Sequence, residues 1–316
     1  MLKPTLKKFT SGCKRTILKY NTSMPEAEEE KIEPAPIPLE PKKIFFWEGL
    51  LFFLTQIFGV ITSWKITKIP EIEIEKIPLK LSSLWEILTS FAVLILLILL
   101  LIRFLKFRPG KEILFKIFFI LPVFLGGMVF WSLWFGDLLA LISVLFFIIW
   151  WLKKPNVLVH NFLLLSGMIG LGALFGLRLD PLLVIILLII FSVYDIIAVY
   201  KTKHMIKMAK EMIEAKAISG IVLPPKLSEI QAPLKDLKIG GRFLILGGGD
   251  IVFPLLLVSS LVPEGILKSL IVAIFATFGL LVSIFIFLFQ KTRKPIPALP
   301  PIAFFSIIGY LITKLI

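Results

Sequence analysis

Two aspartates stand where an acid is expensive. Asp195 lies in Ile190-Phe191-Ser192-Val193-Tyr194-Asp195-Ile196-Ile197 and Asp250 in Leu246-Gly247-Gly248-Gly249-Asp250-Ile251-Val252, each inside a long apolar block. A charged side chain at mid-membrane costs about 2.5–3.5 kcal/mol on insertion scales, so an acid in such a block points to function. Glu48, Glu86, Asp137 and Asp180 fall within a few residues of block ends and read instead as interfacial carboxylates. At about 1.5 Å per residue from Lys201 and Arg242, Asp195 and Asp250 sit at one depth, about 9–12 Å in, on consecutive antiparallel helices. No Lys or Arg lies deep in any block to neutralise them. Facing acids then share a proton, leaving one acid form and one base form near neutrality. Such a pair can take a proton from water, direct that water at a peptide carbonyl and protonate the departing amine.

Two flanking sequences fit that chemistry. Gly247-Gly248-Gly249 costs about 1 kcal/mol per glycine relative to alanine inside a helix, so the run is expected to loosen the helix before Asp250. It also allows a close approach by water or another backbone. Packing through small residues, the alternative account, suits Gly167, Gly170, Gly172 and Gly176 in the fifth block better. The ninth block opens Lys294-Pro295-Ile296-Pro297-Ala298-Leu299-Pro300-Pro301, whose prolines prevent normal helix bonding. Unpaired backbone at that depth is tolerated only beside protein or a wet cavity.

The blocks that must position these residues are nine: Ile44–Trp64, Leu84–Ile102, Ile113–Trp131, Asp137–Leu152, Val157–Leu177, Pro181–Tyr200, Phe243–Val262, Ile266–Phe289 and Ile296–Thr313. Each is near the roughly 20 residues that cross a bilayer. The third and fourth run together, and the division falls at Ser132–Gly136. With the amino terminus inside, the inside stretches hold 28 of the 35 Lys and Arg. That split obeys the positive-inside rule, and merging two blocks would spoil it. All seven tryptophans fall at predicted helix ends, the preferred place for indoles in the headgroup layer. The sequence is therefore read as an all-α, multi-pass protein of the cell membrane with nine transmembrane helices, amino terminus cytoplasmic and carboxyl terminus outside. The charge of +14 on a chain that is 58% hydrophobic marks the cytoplasmic side rather than a nucleic-acid surface.

Residues 1–43 read as a flexible, charge-rich cytoplasmic tail and residues 44–316 as the functional membrane unit. The lone Cys13 excludes a disulfide framework and a CxxC metal site. The long cytoplasmic loop 201–242 begins with Met205, Met208, Met212 and Ala215 on one helical face, which suits a short helix on the membrane surface. Beyond it, Ile221-Val222-Leu223 and Ile239-Gly240-Gly241 are too short for helices and suit extended chain.

Three of these pieces together resemble the presenilin and signal peptide peptidase family of GxGD intramembrane aspartyl proteases. The family's signatures are Tyr-Asp in the sixth span, Gly-x-Gly-Asp in the seventh and Pro-Ala-Leu at the start of the ninth. Here they are Tyr194-Asp195, Gly247-Gly248-Gly249-Asp250 and Pro297-Ala298-Leu299, in order and in the matching spans. The resemblance implies a presenilin-like fold and a compact microbial type of homologue. It also implies catalysis by Asp195 and Asp250, and substrate binding or site shaping by Tyr194, Gly247, Gly248, Gly249, Pro297, Ala298 and Leu299. Its implied substrates are single-span or signal-peptide-like transmembrane segments, cut near the cytoplasmic side of the lipid bilayer with no cofactor or metal. The family unwinds the substrate helix and adds it as a strand beside the loop between the sixth and seventh spans, so Ile221–Leu223 and Ile239–Gly241 are candidate docking strands. The text Gly-Asp-Ile-Val-Phe-Pro is closer to the signal peptide peptidase branch, whereas the orientation is that of presenilin. The rival reading is an ion-coupled transporter or channel, which also builds sites from glycine-broken helices and buried acids. Against it, both acids lie off the midplane and no internal repeat is visible. A metalloprotease would need His-Glu-x-x-His, and the only histidines are His160 and His204.

Overall fold

The computed structural model describes residues 41–70 and 108–316, apart from 203, 225, 238–242 and 291–294; between them only 74, 76, 77, 82, 85–90, 92, 93 and 96 are described. The expected tail therefore lies outside the described residues except for 41–43, which are helical. Most of the second expected block lies outside them too, although residues 85–90 are helical.

The chain is mostly helical. In order come α1 (Pro41–Thr67), α2 (Arg108–Phe135), α3 (Asp137–Lys153), α4 (Val157–Arg178), α5 (Pro181–Ile196), α6 (His204–Glu214), β1 (Gly220–Leu223), β2 (Leu244–Gly247), α7 (Gly248–Ser260), α8 (Ile266–Leu288) and α9 (Leu299–Thr313). Among the described residues, five helices are long and apolar enough to cross a bilayer: Phe45–Thr67, Glu112–Phe135, Val157–Arg178, Pro181–Lys201 and Ile266–Leu288. The division between the third and fourth blocks is real. Gly136, at φ 78°, breaks the chain between α2 and α3 in a conformation that side chains disfavour.

Helix α4 is the hub. The glycines expected to pack tightly do so along it. A Cβ on Gly170 would strike the Gly126 carbonyl of α2, and one on Gly167 would lie 2.8 Å from Val123 Cα. On its other side, a Cβ on Gly176 would lie 2.5 Å from Ser259 Cβ of α7. Small residues let helix backbones meet closely where the bilayer supplies no hydrophobic drive for association.

Three expectations change here. The seventh block does not start as a helix: Leu244–Gly247 is a strand, paired antiparallel to β1 with Ile221 opposite Leu246 and Leu223 opposite Leu244. Ile239–Gly241 lies outside the described residues. Trp151 is no headgroup anchor, being 1% exposed and stacked on Phe119 at 4.5 Å between ring centroids. Helix α6 forms as expected, but Met212 packs on the protein core and the following Ala215 is buried, so that end of its apolar face turns to the protein rather than to lipid.

Valine at Gly170 or Gly126 must push one helix off another, because the obstructing atoms are backbone. Overpacking of this kind costs about 1–3 kcal/mol. Each variant is expected to melt several degrees below wild type in a detergent thermal-shift assay.

Candidate active site

Asp195 lies one residue from the end of α5 and Asp250 in the first turn of α7. Both are 8% exposed. The two helices run in opposite directions and are held by Phe191 against Phe253, stacked at 4.4 Å and 28°. Phe191 is four residues before Asp195, and Phe253 three after Asp250. At about 1.5 Å per residue those offsets differ by a single residue's rise. The antiparallel helices thus carry both acids at one level, one turn from the ring pair, and the two carboxylates lie within electrostatic reach of each other.

The third contributor is the start of α9. Leu299 N–H donates to Asp195 Oδ2 at 3.3 Å. The first N–H groups of a helix have no partner within it. Here Pro297, Pro300 and Pro301 have no N–H at all, so the proline run leaves Leu299 with one of the few donors at this end. Asp195 serves as its cap from another helix, and the positive end of a helix favours an anion there. The segment before α9 is fixed by Ser283 Oγ of α8, which lies 3.1 Å from the Ala298 carbonyl. Pro297 is buried, as is Leu299, which is 3% exposed.

The glycines before Asp250 divide by role. Gly247 ends β2, and a Cβ on it would come within 3.0 Å of Asp250 Oδ2. Gly248 begins α7, where a Cβ would meet Met168 Cε at 2.5 Å and the Ser219 carbonyl at 2.8 Å. Gly249 is exposed, and a Cβ there would touch only the Phe253 ring, at 3.6 Å. The helix is therefore interrupted before the acid, as the composition implied. Tyr194 is 53% exposed and turned out of the packed core.

The interfacial reading suits Glu86 and Asp137, which are exposed, and Asp180, whose Oδ1 accepts from Leu182 N at 2.8 Å and caps α5. It fails for Glu48. That side chain is 3% exposed, its Oε2 has no hydrogen-bond partner, and it is within electrostatic reach of Asp250. Gln56, eight residues on, donates through Nε2 to the Ile251 carbonyl at 3.3 Å, beside Asp250. Helix α1 thus adds a third acid and an amide to the surroundings of the pair. Sequence distance from a block end hid Glu48, and Gln56 gave no charge to notice. Among the described residues, no three of His, Cys, Asp and Glu converge as a metal site would require.

The family described as signal-peptide peptidase, presenilin aspartyl protease matches residues 87–316. The chain belongs to that family and is an intramembrane aspartyl protease, an integral membrane enzyme acting on transmembrane substrates. A presenilin family intramembrane aspartate protease solved in space group C222 superimposes with a TM-score of 0.61 at 20% identity, over 86% of this chain and 100% of that one. A presenilin family intramembrane aspartate protease solved in space group P2 gives a TM-score of 0.56 at 22% identity, over 84% of this chain and 96% of that one. No curated protein matches the chain.

The glycine geometry makes a separable forecast. Gly249→Ala is expected to keep the wild-type melting temperature, because its Cβ meets only a ring at contact distance. Gly248→Ala is expected to lower it by several degrees, because the Ser219 carbonyl cannot yield as a side chain would. Thermal unfolding of the two purified variants checks the contrast.

Proposed function

We propose that Asp195 and Asp250 are the catalytic pair, hydrolysing peptide bonds within single-span or signal-peptide-like transmembrane segments. The observation that carries this reading is the meeting of two buried carboxylates at one level, with Asp195 held by Leu299 N–H. One carboxylate takes a proton from a water lying between them. The resulting hydroxide attacks the peptide carbon while the protonated partner gives its proton to the carbonyl oxygen. Collapse of the tetrahedral intermediate breaks the C–N bond, and a carboxyl proton goes to the departing amine. Pro297, Ala298 and Leu299 hold the wall beside Asp195. Gly247 leaves Asp250 Oδ2 uncovered, Gly248 seats the start of α7 against Ser219, and the exposed Gly249 and Tyr194 are available to the substrate.

A helical substrate hides its scissile carbonyl in its own hydrogen bonds, so it has to be bound extended. Strand addition to a sheet edge supplies this. In the β1–β2 pair, Gly248 N–H donates to Ser219 O at 2.8 Å. The alternation of antiparallel ladders then assigns the interstrand bonds to Ile221 with Leu246 and Leu223 with Leu244, and turns Ile245 outward on β2. The docking edge is therefore β2 rather than the Ile221–Leu223 strand expected from sequence, and it leads directly into Asp250. Nine spans, with residues 1–43 a cytoplasmic tail and 44–316 the protease unit, complete the proposal. Its support is the concentration of 28 of 35 basic residues on one side. That topology places the acids near the cytoplasmic face of the cell membrane.

Purified wild type, Asp195→Asn and Asp250→Asn, incubated with a tagged single-span substrate, test the pair. Wild type is expected to cleave, to stop with a transition-state analogue of aspartyl proteases, and to outpace either variant by at least about a hundredfold. Equal cleavage by the variants overturns the assignment. The docking edge has its own test. Proline at Ile245 removes an outward N–H without touching a β1–β2 bond, so it is expected to cut substrate cleavage about tenfold with little change in melting temperature.

A further inference from the structure

The outer edge of β1 is already occupied, and by side chains. Asn161 Nδ2 donates to the Val222 carbonyl at 2.7 Å, and Val222 N–H donates to Asn161 Oδ1 at 2.9 Å. One residue earlier on the same helix, His160 Nε2 lies 3.2 Å from the Gly220 carbonyl and donates to it. These are the groups that antiparallel alternation turns away from β2. His160 is 0% exposed and Asn161 9%, and the His160 ring stacks on Phe119 at 4.8 Å. Helix α4 therefore presents a primary amide as a one-residue substitute strand. Nothing in the catalytic chemistry uses either side chain.

A clamp has a job here because the sheet is small. Four residue pairs make up the β1–β2 ladder, and an isolated two-stranded sheet is at best marginally stable. Its residues are Gly, Ile, Val and Leu throughout, so side-chain identity distinguishes one register from another only weakly. A bidentate amide does distinguish them, because it fits one residue's N–H and C=O and no half-step position. The register of β1 decides which N–H and C=O groups of β2 face outward: a slip of one residue would turn Ile245 inward and Leu246 outward, and so shift an added strand by one residue against Asp250, three residues beyond Gly247.

Resting on the protease reading above, we infer that Asn161, seconded by His160, is a positioning residue that sets where the substrate is cut by locking β1 at Val222. Asn161 does not reach the reacting atoms. Its loss shifts and spreads the cleavage site and raises KM more than it lowers kcat.

The test uses the full chain with a single-span substrate and reads product masses, KM and kcat for wild type, Asn161→Ala and Asn161→Asp. Asn161→Asp keeps the shape and an acceptor for Val222 N–H, and stands in if the alanine variant fails to fold. Wild-type cleavage that Asp250→Asn abolishes first secures the protease reading independently. New product masses displaced from the wild-type cut, with KM raised roughly three- to tenfold, are expected for the loss of one or two hydrogen bonds. A Cys13→Ser background carrying Val222→Cys and Ile245→Cys supplies the rescue. These residues face each other as a non-hydrogen-bonded pair, about 4.5 Å apart at Cα in such ladders. That separation is within disulfide range. Oxidation of this pair in the Asn161→Ala chain is expected to restore the cut made by the same oxidised double-cysteine chain with Asn161 in place. Unchanged masses and KM in the folded variants, or new masses that the crosslink leaves in place, overturn the inference.

Discussion

Leu299 N–H has no partner in its own helix, and Asp195 is in no ion pair among the described residues. Each problem is the other's solution. At the start of α9 the prolines at 297, 300 and 301 offer no N–H, which leaves few donors there, and Ser283 holds the Ala298 carbonyl from the side. The Leu299 N–H points across to the carboxylate at 3.3 Å. In a bilayer neither group can turn to bulk water, so both must be paired within the protein. Bringing α9 to α5 in this way fixes Asp195, and the Phe191–Phe253 stack then sets Asp250 opposite it. The site depends on a helix being begun badly at the right place.

The same accounting of backbone groups explains the sheet. A strand inside an apolar surround carries two rows of donors and acceptors, of which the partner strand answers one. On β1 the second row is met by Asn161 and His160 of the hub helix. On β2 no other strand is paired among the described residues, and that is the edge leading into Asp250. In the proposed mechanism the asymmetry separates a supported strand from a receiving one. A sheet with both outer rows satisfied would be more stable and would have no means of holding an extended peptide.

Much of this was legible in the sequence because acids, glycine runs and prolines are conspicuous in apolar chain. Asp195, Asp250 and the Pro297–Leu299 segment could be assigned to one depth by counting residues, and the Ser132–Gly136 division between α2 and α3 by the distribution of basic residues between the two sides. What stayed hidden were roles that depend on a partner remote in sequence. Glu48 lies four residues into the first predicted block, and nothing local says that it turns inward toward Asp250. Asn161 bonds a residue 61 positions away. Leu244–Gly247 has the composition of a helix end, and only its pairing with β1 makes it a strand. Trp151 has the sequence position of a headgroup anchor, yet the aromatic face of α2 takes it into the core.

The three elements that meet at the site all change backbone state there. Helix α5 widens immediately after Asp195 into a turn in which Thr202 N–H bonds the Ile197 carbonyl, five residues back. Helix α7 begins two residues before Asp250, out of a strand, and α9 begins only at Leu299, after four residues in no regular structure. Regular helices through these points would be cheaper in a bilayer, since each would satisfy its own peptide groups. They would also present nothing but side chains to a substrate, and would leave no backbone edge against which a substrate could unwind. Hydrolysis of a peptide bond requires that bond to leave its helix, and the helix bonds given up must be replaced where water is scarce. Interrupted helices around a carboxylate pair meet both requirements in one place, because the segments that lose helical bonding are the ones able to offer it to another chain.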